Sequence, residues 1–504
     1  MGGIPNIVHV EKTRRNLWIG TCGNTWYDEF PLTTINCLLV HDLFMVVRSM
    51  NPRTGAIIKE FTPSSSEDVL SSVTKGRQAQ KLWMTDWSKE ERIEAVLEMR
   101  SAIQAMKDDL IGTEVLEGGF PQRDVIGTYN GVIKGFDHYV SEIRLVDDYD
   151  FPLDPDGWPD TKATINLVPH GVVGHIGIWN YPFWQTMITV IPALLAGNAV
   201  VFKPSELTTM TGLKIKEAFG HTSMPGDLFQ VLVGGAEVGK TMVTAPFDAL
   251  VFTGGRHTGL DIVRNAGIKP LVLELSGNDP GIVCADADIS TVARGVASGA
   301  FSHGGQVCIR IKRLYVVKSV AKSFIDDLLK VVARIDTKQQ IGPLIREEAR
   351  AKVREKVHRA VNAGCELLTG GEKIPGLGYY FEPTILKVTD DSLEIIREET
   401  FGPVLPIRVV EDEKEAIKLA NDSDYGLGAT VWTSDPVKGE RIARCLEAGN
   451  VWINDYGRTI NCGELFQGWK CSGIPSTNRR ITLFMKKRTM VNHQICQPRP
   501  HWFK

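Results

Sequence analysis

The chain has 504 residues, more than one hydrophobic core usually holds, so we expect about two or three domains. Hydrophobic residues make up 43% of the chain and charged residues 23%, a balance that is typical of globular proteins. The formal net charge is -3, and no basic patch stands out. The charge therefore argues against a nucleic-acid partner and favours a small-molecule partner.

Nine cysteines are scattered along the chain, and none forms a CxxC pair. Their spacing argues against a zinc site, and their odd number in so long a chain argues against a disulfide framework. We therefore expect no metal and a reducing compartment, the cytoplasm. The most apolar stretches, Leu32–Val47 and Met187–Phe202, fall short of the ~20 apolar residues that a bilayer requires, so we expect no membrane span.

The N-terminal part of the chain gives the weakest pattern. Residues 1–48 mix cysteines, aromatic residues and turn residues without a sustained period, and we expect a poorly integrated extension there. The segments Ser66–Lys75 and Lys89–Ala105 predict helices, the second from apolar residues at helical spacing. The acidic, proline-rich segment Asp147–Pro159 predicts a connection at a domain edge.

From Gly171 onward, short apolar runs alternate with helical segments such as Leu213–Phe219. This alternation is typical of parallel sheets covered by helices, so we predict an α/β fold. The predicted strands are Val172–Ile178, Ala199–Phe202, Leu228–Val233 and Ala249–Thr253, followed by a second set at Gly281–Cys284, Arg313–Val317 and Pro403–Val410.

The main candidate for chemistry is a cysteine that ends the glycine-rich segment Phe301–Cys308. The glycines at 304 and 305 allow the backbone to approach a ligand closely, and a cysteine just beyond them suits an exposed nucleophile. By itself this pattern is weak, because a single cysteine is more often an inert buried residue.

Two polar residues beside apolar runs suit the same chemistry. Glu274 follows an apolar run and suits a general base, although a solvated or capping glutamate is the simpler interpretation. Asn180 ends an apparent strand, and its amide suits an oxyanion. The alternative for Asn180 is a turn residue before a helix that begins with Pro182.

Two loops that follow predicted strands suit a phosphate or a sugar. The turn at Gly254 and Gly255 can place backbone N–H groups against a phosphate, although a glycine pair is often only a turn. Lys203 and Glu206 follow another strand, where they either face a ribose or cap the loop.

Together, these pieces resemble the aldehyde dehydrogenase superfamily, and the similarity runs from about Asn51 to Val491. Each segment is modest alone, but all of them occur in the family's order, which coincidence does not explain. The segments are Gly177–Pro182, Pro192–Asn198, Lys203–Glu206, Phe252–Gly255, Glu274–Gly277, Gly305–Cys308 and Glu398–Pro403.

The resemblance implies a hydrolytic, NAD(P)+-dependent oxidation of an aldehyde to a carboxylic acid, with NAD as the cofactor and NADP as the alternative. It assigns Cys308 as the nucleophile that forms a thioester, Asn180 as half of the oxyanion hole and Glu274 as the general base. It also implies cofactor contacts from Ile178, Trp179, Lys203, Glu206, Gly254, Gly255, Glu399 and Phe401.

The resemblance further implies a Rossmann-like NAD(P)-binding domain at 49–146 and 168–276 and an α/β catalytic domain at 277–463. A small β oligomerisation extension is expected at 147–167 and 480–500. In relatives, the segment that corresponds to Asp147–Thr164 lies beside the C-terminal strand around Thr489–His493, so we expect a homodimer or homotetramer.

Some positions depart from the family pattern. Gly255 stands where Ser is usual, His303 where Asn is usual, and Thr189 replaces a common lysine. In Leu465–Thr477 the second half of the family motif, including its Glu, is lost, so hydrolysis is expected to be slower.

The aldehyde tunnel is expected along one face of the helix that follows Asn180. The candidate residues carry no charge, and relatives that act on succinic semialdehyde have an Arg where Ile188 stands. We therefore expect an uncharged aliphatic or aromatic aldehyde, unless these side chains are only core packing. The candidates are Tyr181, Trp184, Gln185, Ile188, Val307 and Ile309.

Three other functions compete with this interpretation. A coenzyme A-acylating relative would generally lack the glutamate found at 274, and a scaffold that kept only the fold would not require Cys308, Asn180 and Glu274 together. A cofactor-free cysteine hydrolase would need a His–Asn partner set, which does not accompany Cys308.

Overall fold

The structure is a computed structural model, and it describes residues 46–154, 158, 160–457, 467–474 and 481–493. Nearly all of the predicted extension at 1–48 therefore lies outside the described residues, as do Leu465, Phe466 and residues 475–477 of the altered motif. Within the described part, none of the helices combines the length and the apolar character that a membrane crossing demands.

The first two helices begin at serine side chains that satisfy free N–H groups. Ser65 and Ser88 each form a capping box with the acidic residue three positions later, which fixes the starts of the first two helices. In chain order, the helices are α1 (Ser66–Thr85), α2 (Lys89–Ala105), α3 (Lys107–Gly118), α4 (Gln122–Leu145), α5 (Pro182–Leu195), α6 (Thr209–Phe219), α7 (Ala236–Thr244), α8 (Arg256–Asn265), α9 (Ile289–Phe301), α10 (Lys318–Val332), α11 (Glu347–Asn362), α12 (Glu394–Arg397), α13 (Glu413–Asn421) and α14 (Pro436–Ala443).

The strands coincide with the apolar runs of the sequence, and most of the central ones are buried on both faces, as parallel strands between helices are. They are β1 (Val47–Asn51), β2 (Ala56–Phe61), β3 (Tyr149–Phe151), β4 (Thr161–Pro169), β5 (Val172–Ile176), β6 (Ala199–Lys203), β7 (Phe229–Val231), β8 (Ala249–Thr253), β9 (Leu271–Glu274), β10 (Asp279–Val283), β11 (Ile311–Val317), β12 (Glu366–Thr369), β13 (Thr384–Val388), β14 (Val404–Val410), β15 (Tyr425–Gly426), β16 (Gly428–Trp432), β17 (Asn450–Ile453), β18 (Trp469–Lys470) and β19 (Met485–His493).

Two large sheets organise the molecule. The first has five parallel strands in the order β7-β6-β5-β8-β9. The chain starts at β5, builds outward to β7, and then returns to β8 on the other side of β5. The strand order therefore reverses between β5 and β8, which is where open α/β sheets form a ligand crevice at the carboxyl ends of their strands.

The second large sheet has seven strands in the order β12-β13-β14-β11-β10-β16-β17, all parallel except β12. Its central strand β11 follows directly on the loop that contains Cys308. The predicted strands of both sets are present, although several end within a few residues of the predicted boundary.

A smaller antiparallel sheet has the order β19-β4-β3. It pairs Met485–His493 with Thr161–Pro169 over nine residues each, which is the pairing expected from the resemblance. Side chains of β19 are almost all exposed, and β19 forms an edge of this sheet.

Two predicted boundaries were wrong. The first helix was expected to end at Lys75, but it continues through the next residue, Gly76, and extends to Thr85. A Cβ on Gly76 would lie 3.2 Å from Val172, so this glycine serves a close approach of α1 to the sheet and does not end the helix. Strand β1 begins at Val47 and pairs with β2, inside the segment assigned to the extension.

A buried carboxylate fixes the helix that follows the Lys203–Glu206 loop. Glu117, fully buried near the end of α3, accepts hydrogen bonds from the backbone N–H groups of Met210 and Thr211 at 2.8 and 2.9 Å. It also accepts from the hydroxyls of Thr211 and Ser49. The carboxylate satisfies the free N–H groups at the start of α6 and therefore holds the preceding loop in place.

We predict that Glu117→Gln lowers the free energy of unfolding by about 1.5–3 kcal/mol, because an amide nitrogen would face N–H donors in place of a carboxylate oxygen. Thermal denaturation measures the loss as a midpoint several degrees lower. Glu237→Gln is the control, since Glu237 lies in the first turn of α7 with its side chain 85% exposed. Equal midpoints for the two variants would contradict this role of Glu117.

Candidate active site

The predicted site residues lie at the carboxyl ends of the five-stranded sheet. Ile178 and Trp179 follow β5, Lys203 ends β6, Gly254 follows β8, and Glu274 ends β9. Because these strands are parallel and adjacent, their ends lie along one edge of the sheet. Residues far apart in the sequence are thereby gathered at the crevice between β5 and β8.

Asn180 lies in the turn between β5 and α5 and is buried. Its side-chain Nδ2 donates a hydrogen bond to the carbonyl oxygen of Gln306 at 2.8 Å, which places the amide beside the loop that carries Cys308. The amide retains a second N–H hydrogen, as an oxyanion donor requires. Helix α5 begins with Pro182 in its first turn, as the sequence predicted.

His303, which stands where the family usually has Asn, supports Asn180 from the other side. Its ring lies between Phe120 and Tyr181, with ring centroids 3.9 and 4.6 Å away and nearly parallel planes. Nε2 lies 2.6 Å from the carbonyl oxygen of Asn180 and therefore carries the proton, because a carbonyl only accepts. Burial lowers the pKa of His303 to about 4, so the ring is neutral at pH 7.

The glycines before Cys308 permit a turn that other residues would strain. Gly304 and Gly305 have φ angles of 67° and 69°, in the left-handed region that favours glycine. A Cβ on Gly305 would lie 2.3 Å from the carbonyl oxygen of Gly402, so the two segments pack backbone against backbone. This contact brings the cysteine loop to the segment that contains Glu399 and Phe401.

Arg310 ties the same two segments together. Its guanidinium, 2% exposed, donates to the carbonyl oxygens of Ala300, Ile311, Thr400 and Val404 at 2.6–3.2 Å. Burial lowers the pKa of Arg310 to about 9, so it remains charged at neutral pH. A buried charge of this kind is held by its hydrogen bonds and fixes the groups that accept them.

Cys308 is partly exposed, but the protein around it disfavours its thiolate. Burial raises the pKa of the thiol to about 12; Lys312 lowers it, while Glu274, Asp279 and Glu399 raise it further. Lys312 is nearly fully buried, donates to the carbonyl oxygen of Cys308 and forms an ion pair of 2.9 Å with Glu399. The positive charge nearest to the nucleophile therefore belongs to Lys312.

Glu274 is buried at the end of β9, where the carboxylate is held by α5. The side-chain nitrogen of Gln185 donates to Oε2 of Glu274 at 2.7 Å and to the hydroxyl of Thr253 at 2.6 Å. On its other side, the backbone of Glu274 pairs with Gly473, in the described part of the altered motif. Glu274 is also among the charges that raise the pKa of Cys308.

The crevice fits a dinucleotide. A Cβ on Gly255 would meet nothing within 4 Å, and Gly255 itself brings no side chain over the start of α8. The Arg256 N–H donates to the hydroxyl of Ser276 at 3.3 Å, and the N–H groups that follow it can face a phosphate. Lys203 is buried and donates to the carbonyl oxygens of Pro204 and Gly234, with Glu206 partly exposed nearby. Trp179 meets Phe401 edge to face at 5.5 Å across the opening.

The tunnel candidates differ in their surroundings. Tyr181 and Trp184 contact each other edge to face, and both are partly buried. Ile188 is 2% exposed within α5. Val307 and Cys308 pack against a small apolar cluster of Ile309 and Leu427, together with Trp452. That these residues line a substrate path stays a prediction.

The sequence did not reveal the side chains that hold the three candidate catalytic residues. Gln185 was expected in a tunnel, but its amide contacts Glu274; Lys312 and Arg310 were not singled out. Both charged residues lie within four positions of Cys308, in a segment that leads into a buried strand. Because charged residues are seldom buried without partners, this pattern could have indicated that they hold the neighbouring groups. The partners of His303 depend on tertiary contacts that no sequence spacing shows.

One group of potential metal ligands occurs among the described residues, at Cys284, Asp286 and Glu413. The amine of Lys438 lies 3.1 Å from Asp286 and 3.6 Å from Glu413, so a cation already neutralises these carboxylates. The group lies apart from Cys308, and the expectation of a metal-free reaction stays a prediction.

We predict that the alkylation rate of Cys308 in the cofactor-free protein rises about tenfold per pH unit between pH 7 and 10. Only the thiolate reacts, and its fraction grows tenfold per unit below the raised pKa. Iodoacetamide labelling with peptide mapping measures the rate. Cys308→Ser gives the background from exposed Cys445, and a plateau by pH 8 would contradict the raised pKa.

Comparison with known proteins agrees with this geometry. A family model described as "Aldehyde dehydrogenase family" matches residues 43–489. The chain is 33% identical over 476 residues to betaine aldehyde dehydrogenase from Bacillus subtilis (strain 168), which covers 91% of this chain and 96% of the relative. It is 34% identical over 429 residues to peroxisomal aminoaldehyde dehydrogenase 1 from Pisum sativum, with coverages of 81% and 84%.

Solved structures give the same result. Betaine aldehyde dehydrogenase from Staphylococcus aureus in complex with NAD+ is similar with a TM-score of 0.86 and 29% identity, covering 91% of this chain and 94% of that one. Lactaldehyde dehydrogenase from Escherichia coli is similar with a TM-score of 0.84 and 27% identity, with coverages of 89% and 96%. The predicted α/β fold is confirmed, and the chain belongs to the aldehyde dehydrogenase family.

Proposed function

We propose that this protein oxidises an aldehyde to the carboxylic acid with NAD+, through a thioester on Cys308. The observation that carries the proposal is the convergence of a cysteine, an amide donor and a buried carboxylate beside the crevice between β5 and β8. Asn180 contacts the loop of Cys308 at Gln306, and Glu274 acts electrostatically on Cys308.

In the first half of the reaction, the Cys308 sulfur attacks the aldehyde carbonyl to give a thiohemiacetal. The Asn180 amide and the backbone N–H of Cys308 stabilise the oxyanion, a contribution often worth about 3–4 kcal/mol per donor. Because the resting thiol has a raised pKa, its proton must pass to solvent before attack, and Lys312 is the nearby positive charge that favours the thiolate. The bound nicotinamide supplies the acceptor for the hydride that leaves the substrate carbon.

In the second half, Glu274 takes a proton from water, whose oxygen attacks the thioester carbonyl; the carbon–sulfur bond breaks and the acid departs. This step separates the proposal from its two main competitors. A coenzyme A-acylating enzyme transfers the acyl group to a second thiol and needs no such base, and a scaffold performs neither half of the reaction.

We predict that Glu274→Gln permits one burst of NADH and then lowers steady turnover by at least about a hundredfold, because deacylation loses its base. Stopped-flow absorbance measures the burst, and intact mass shows the acyl group on the protein. An unchanged steady rate would move the base to another residue.

Lys203 and Glu206 are the proposed contacts of the adenosine ribose. A carboxylate at Glu206 favours ribose hydroxyls and repels the phosphate of NADP+, whereas Lys203 is engaged with two backbone carbonyls. The pyrophosphate and the adjoining part of the cofactor would be lined by Gly254, Gly255, Ile178 and Trp179. The nicotinamide end would be lined by Glu399 and Phe401.

We predict that kcat/KM is at least about tenfold higher with NAD+ than with NADP+, and that Glu206→Gln narrows this ratio by removing the repulsion. Steady-state kinetics with both cofactors measure the preference. Glu237→Gln, an exposed change elsewhere on the same domain, is the control. A clear preference for NADP+ in the unaltered enzyme would refute the role of Glu206.

The substrate is proposed to be an uncharged aliphatic or aromatic aldehyde. The apolar cluster of Ile309, Leu427 and Trp452 lies against Cys308, and Ile188 adds no charge. Such surroundings favour an apolar tail, because a charged one would lose its hydration without a partner.

A cationic aminoaldehyde is the second candidate, and a specific carboxylate favours it. Burial is the largest cause of the raised pKa of the Tyr181 hydroxyl, and the charge of the nearby Asp124 is the next largest. One oxygen of Asp124 is buried without a hydrogen bond among the described residues, while the other faces Arg123. Betaine and aminoaldehyde dehydrogenases among the relatives act on aldehydes of this kind by name.

We predict that kcat/KM decreases from hexanal and benzaldehyde to succinic semialdehyde, because none of the tunnel candidates carries a cationic group to pair with an anionic tail. A panel that includes 3-aminopropanal separates the two proposals. If the aminoaldehyde is preferred and Asp124→Asn removes the preference, the cationic substrate replaces the apolar one. A preference for succinic semialdehyde would overturn both.

The edge strand β19 supports a proposed homodimer or homotetramer. It exposes Met490 and Val491 by 46% and 53%, and β3, on the other side of β4, exposes Phe151 by 53%. An unpaired edge strand with exposed apolar side chains is normally covered, here by a second copy. The segments 147–167 and 480–500 would thus form the oligomerisation extension of the two-domain protomer.

The location is proposed to be the cytoplasm. The free state of the described cysteines supports this location.

A further inference from the structure

The contact between Gln185 and Glu274 goes beyond what the family resemblance assigns. Gln185 is 3% exposed in the first turn of α5, and its side-chain nitrogen lies 2.7 Å from Oε2 of Glu274. The same nitrogen lies 2.6 Å from the hydroxyl of Thr253 at the end of β8. Its two hydrogens therefore join the helix that follows Asn180 to two neighbouring strands of the sheet.

This placement gives the amide a function that a buried apolar residue could not have. A buried carboxylate is costly unless donors hold it, and an amide N–H remains a donor at every working pH. Helix α5 is itself fixed, since Pro182 starts it and the hydroxyl of Thr186 bonds the carbonyl oxygen of Pro182 at 2.6 Å. The donor is therefore presented from a rigid element.

The amide of Gln185 also compensates for the loss of charged residues elsewhere in the chain. Thr189, one turn later on α5, stands where the family commonly has a lysine, and the altered motif near Gly473 has lost its glutamate. A lysine and a glutamate are the charged groups that would otherwise be available to support the base. Gln185 supplies a neutral donor in the same region of α5.

We propose that Gln185 is the positioning residue of the general base, and this rests on the proposed function. Its amide directs the Glu274 carboxylate so that it accepts a proton from the water that attacks the thioester. The water oxygen bonds to the acyl carbon, the carbon–sulfur bond breaks, and the proton held by Glu274 passes to the departing sulfur of Cys308. Gln185 itself exchanges no proton.

The test uses Gln185→Met, which keeps the approximate volume and removes the donor. We expect the NADH burst to keep its rate within about threefold, while steady turnover falls by about tenfold or more and the acyl-enzyme accumulates in intact mass spectra. Hydroxylamine cleaves a thioester to the hydroxamate without a general base, so it should restore steady turnover of this variant. Met187→Leu is the control, a buried change on the same helix that removes no hydrogen-bond donor.

The outcomes separate a positioning role from a structural one. Equal losses of the burst and of steady turnover in Gln185→Met, without rescue by hydroxylamine, would overturn the proposal. If Gln185→Met fails to fold by circular dichroism, Gln185→Glu keeps the shape and places a repelling carboxylate beside Glu274, with the same expected split. Accumulation in Glu274→Gln but not in the Gln185 variants overturns this proposal alone; accumulation in neither overturns the proposed function as well.

Discussion

The buried guanidinium of Arg310 is the interaction on which the geometry of the active site depends. Its two terminal nitrogens donate to backbone carbonyls from α9, β11, β14 and the residue between Glu399 and Phe401. A neutral side chain would leave several of these carbonyls without a donor, at a cost of about 1–3 kcal/mol each. One charge thus fixes the loop of Cys308 to the segment proposed to hold the nicotinamide. This contact therefore sets the distance between the proposed nucleophile and the proposed cofactor site.

The charges around Cys308 then set the state of the nucleophile. Burial and three carboxylates favour the thiol, and Lys312 opposes them from within the loop. A protonated thiol is a poor nucleophile and resists oxidation, so the free protein is protected until a base removes the proton. The glutamate proposed as the base of hydrolysis is itself held by Gln185, while His303 and Gln306 hold the amide proposed as the oxyanion donor. Both of these candidate residues therefore have buried polar partners.

Much of this architecture was predictable from the sequence. Apolar runs that alternate with helices predicted parallel sheets, and Glu274 and Gly254 were each placed after such a run. The helix that begins with Pro182 was also expected. The supporting contacts were not predictable, because the partners of Arg310 come from positions up to 94 residues away. The helix predicted over Ser66–Lys75 fell short for the same reason: Gly76 inside it serves a close contact with Val172 that no sequence spacing shows.

The measurement that tests the central claim most directly is NADH formation by Cys308→Ala, together with its affinity for NAD+ by calorimetry. The account predicts that NADH formation falls by at least about ten thousandfold, because the covalent route is lost, while the affinity for NAD+ stays within about threefold, since the crevice between β5 and β8 is unchanged. Turnover within tenfold of the unaltered enzyme would contradict the assignment of Cys308 as the nucleophile. A variant that loses NAD+ binding as well would show that Cys308 supports the cofactor site.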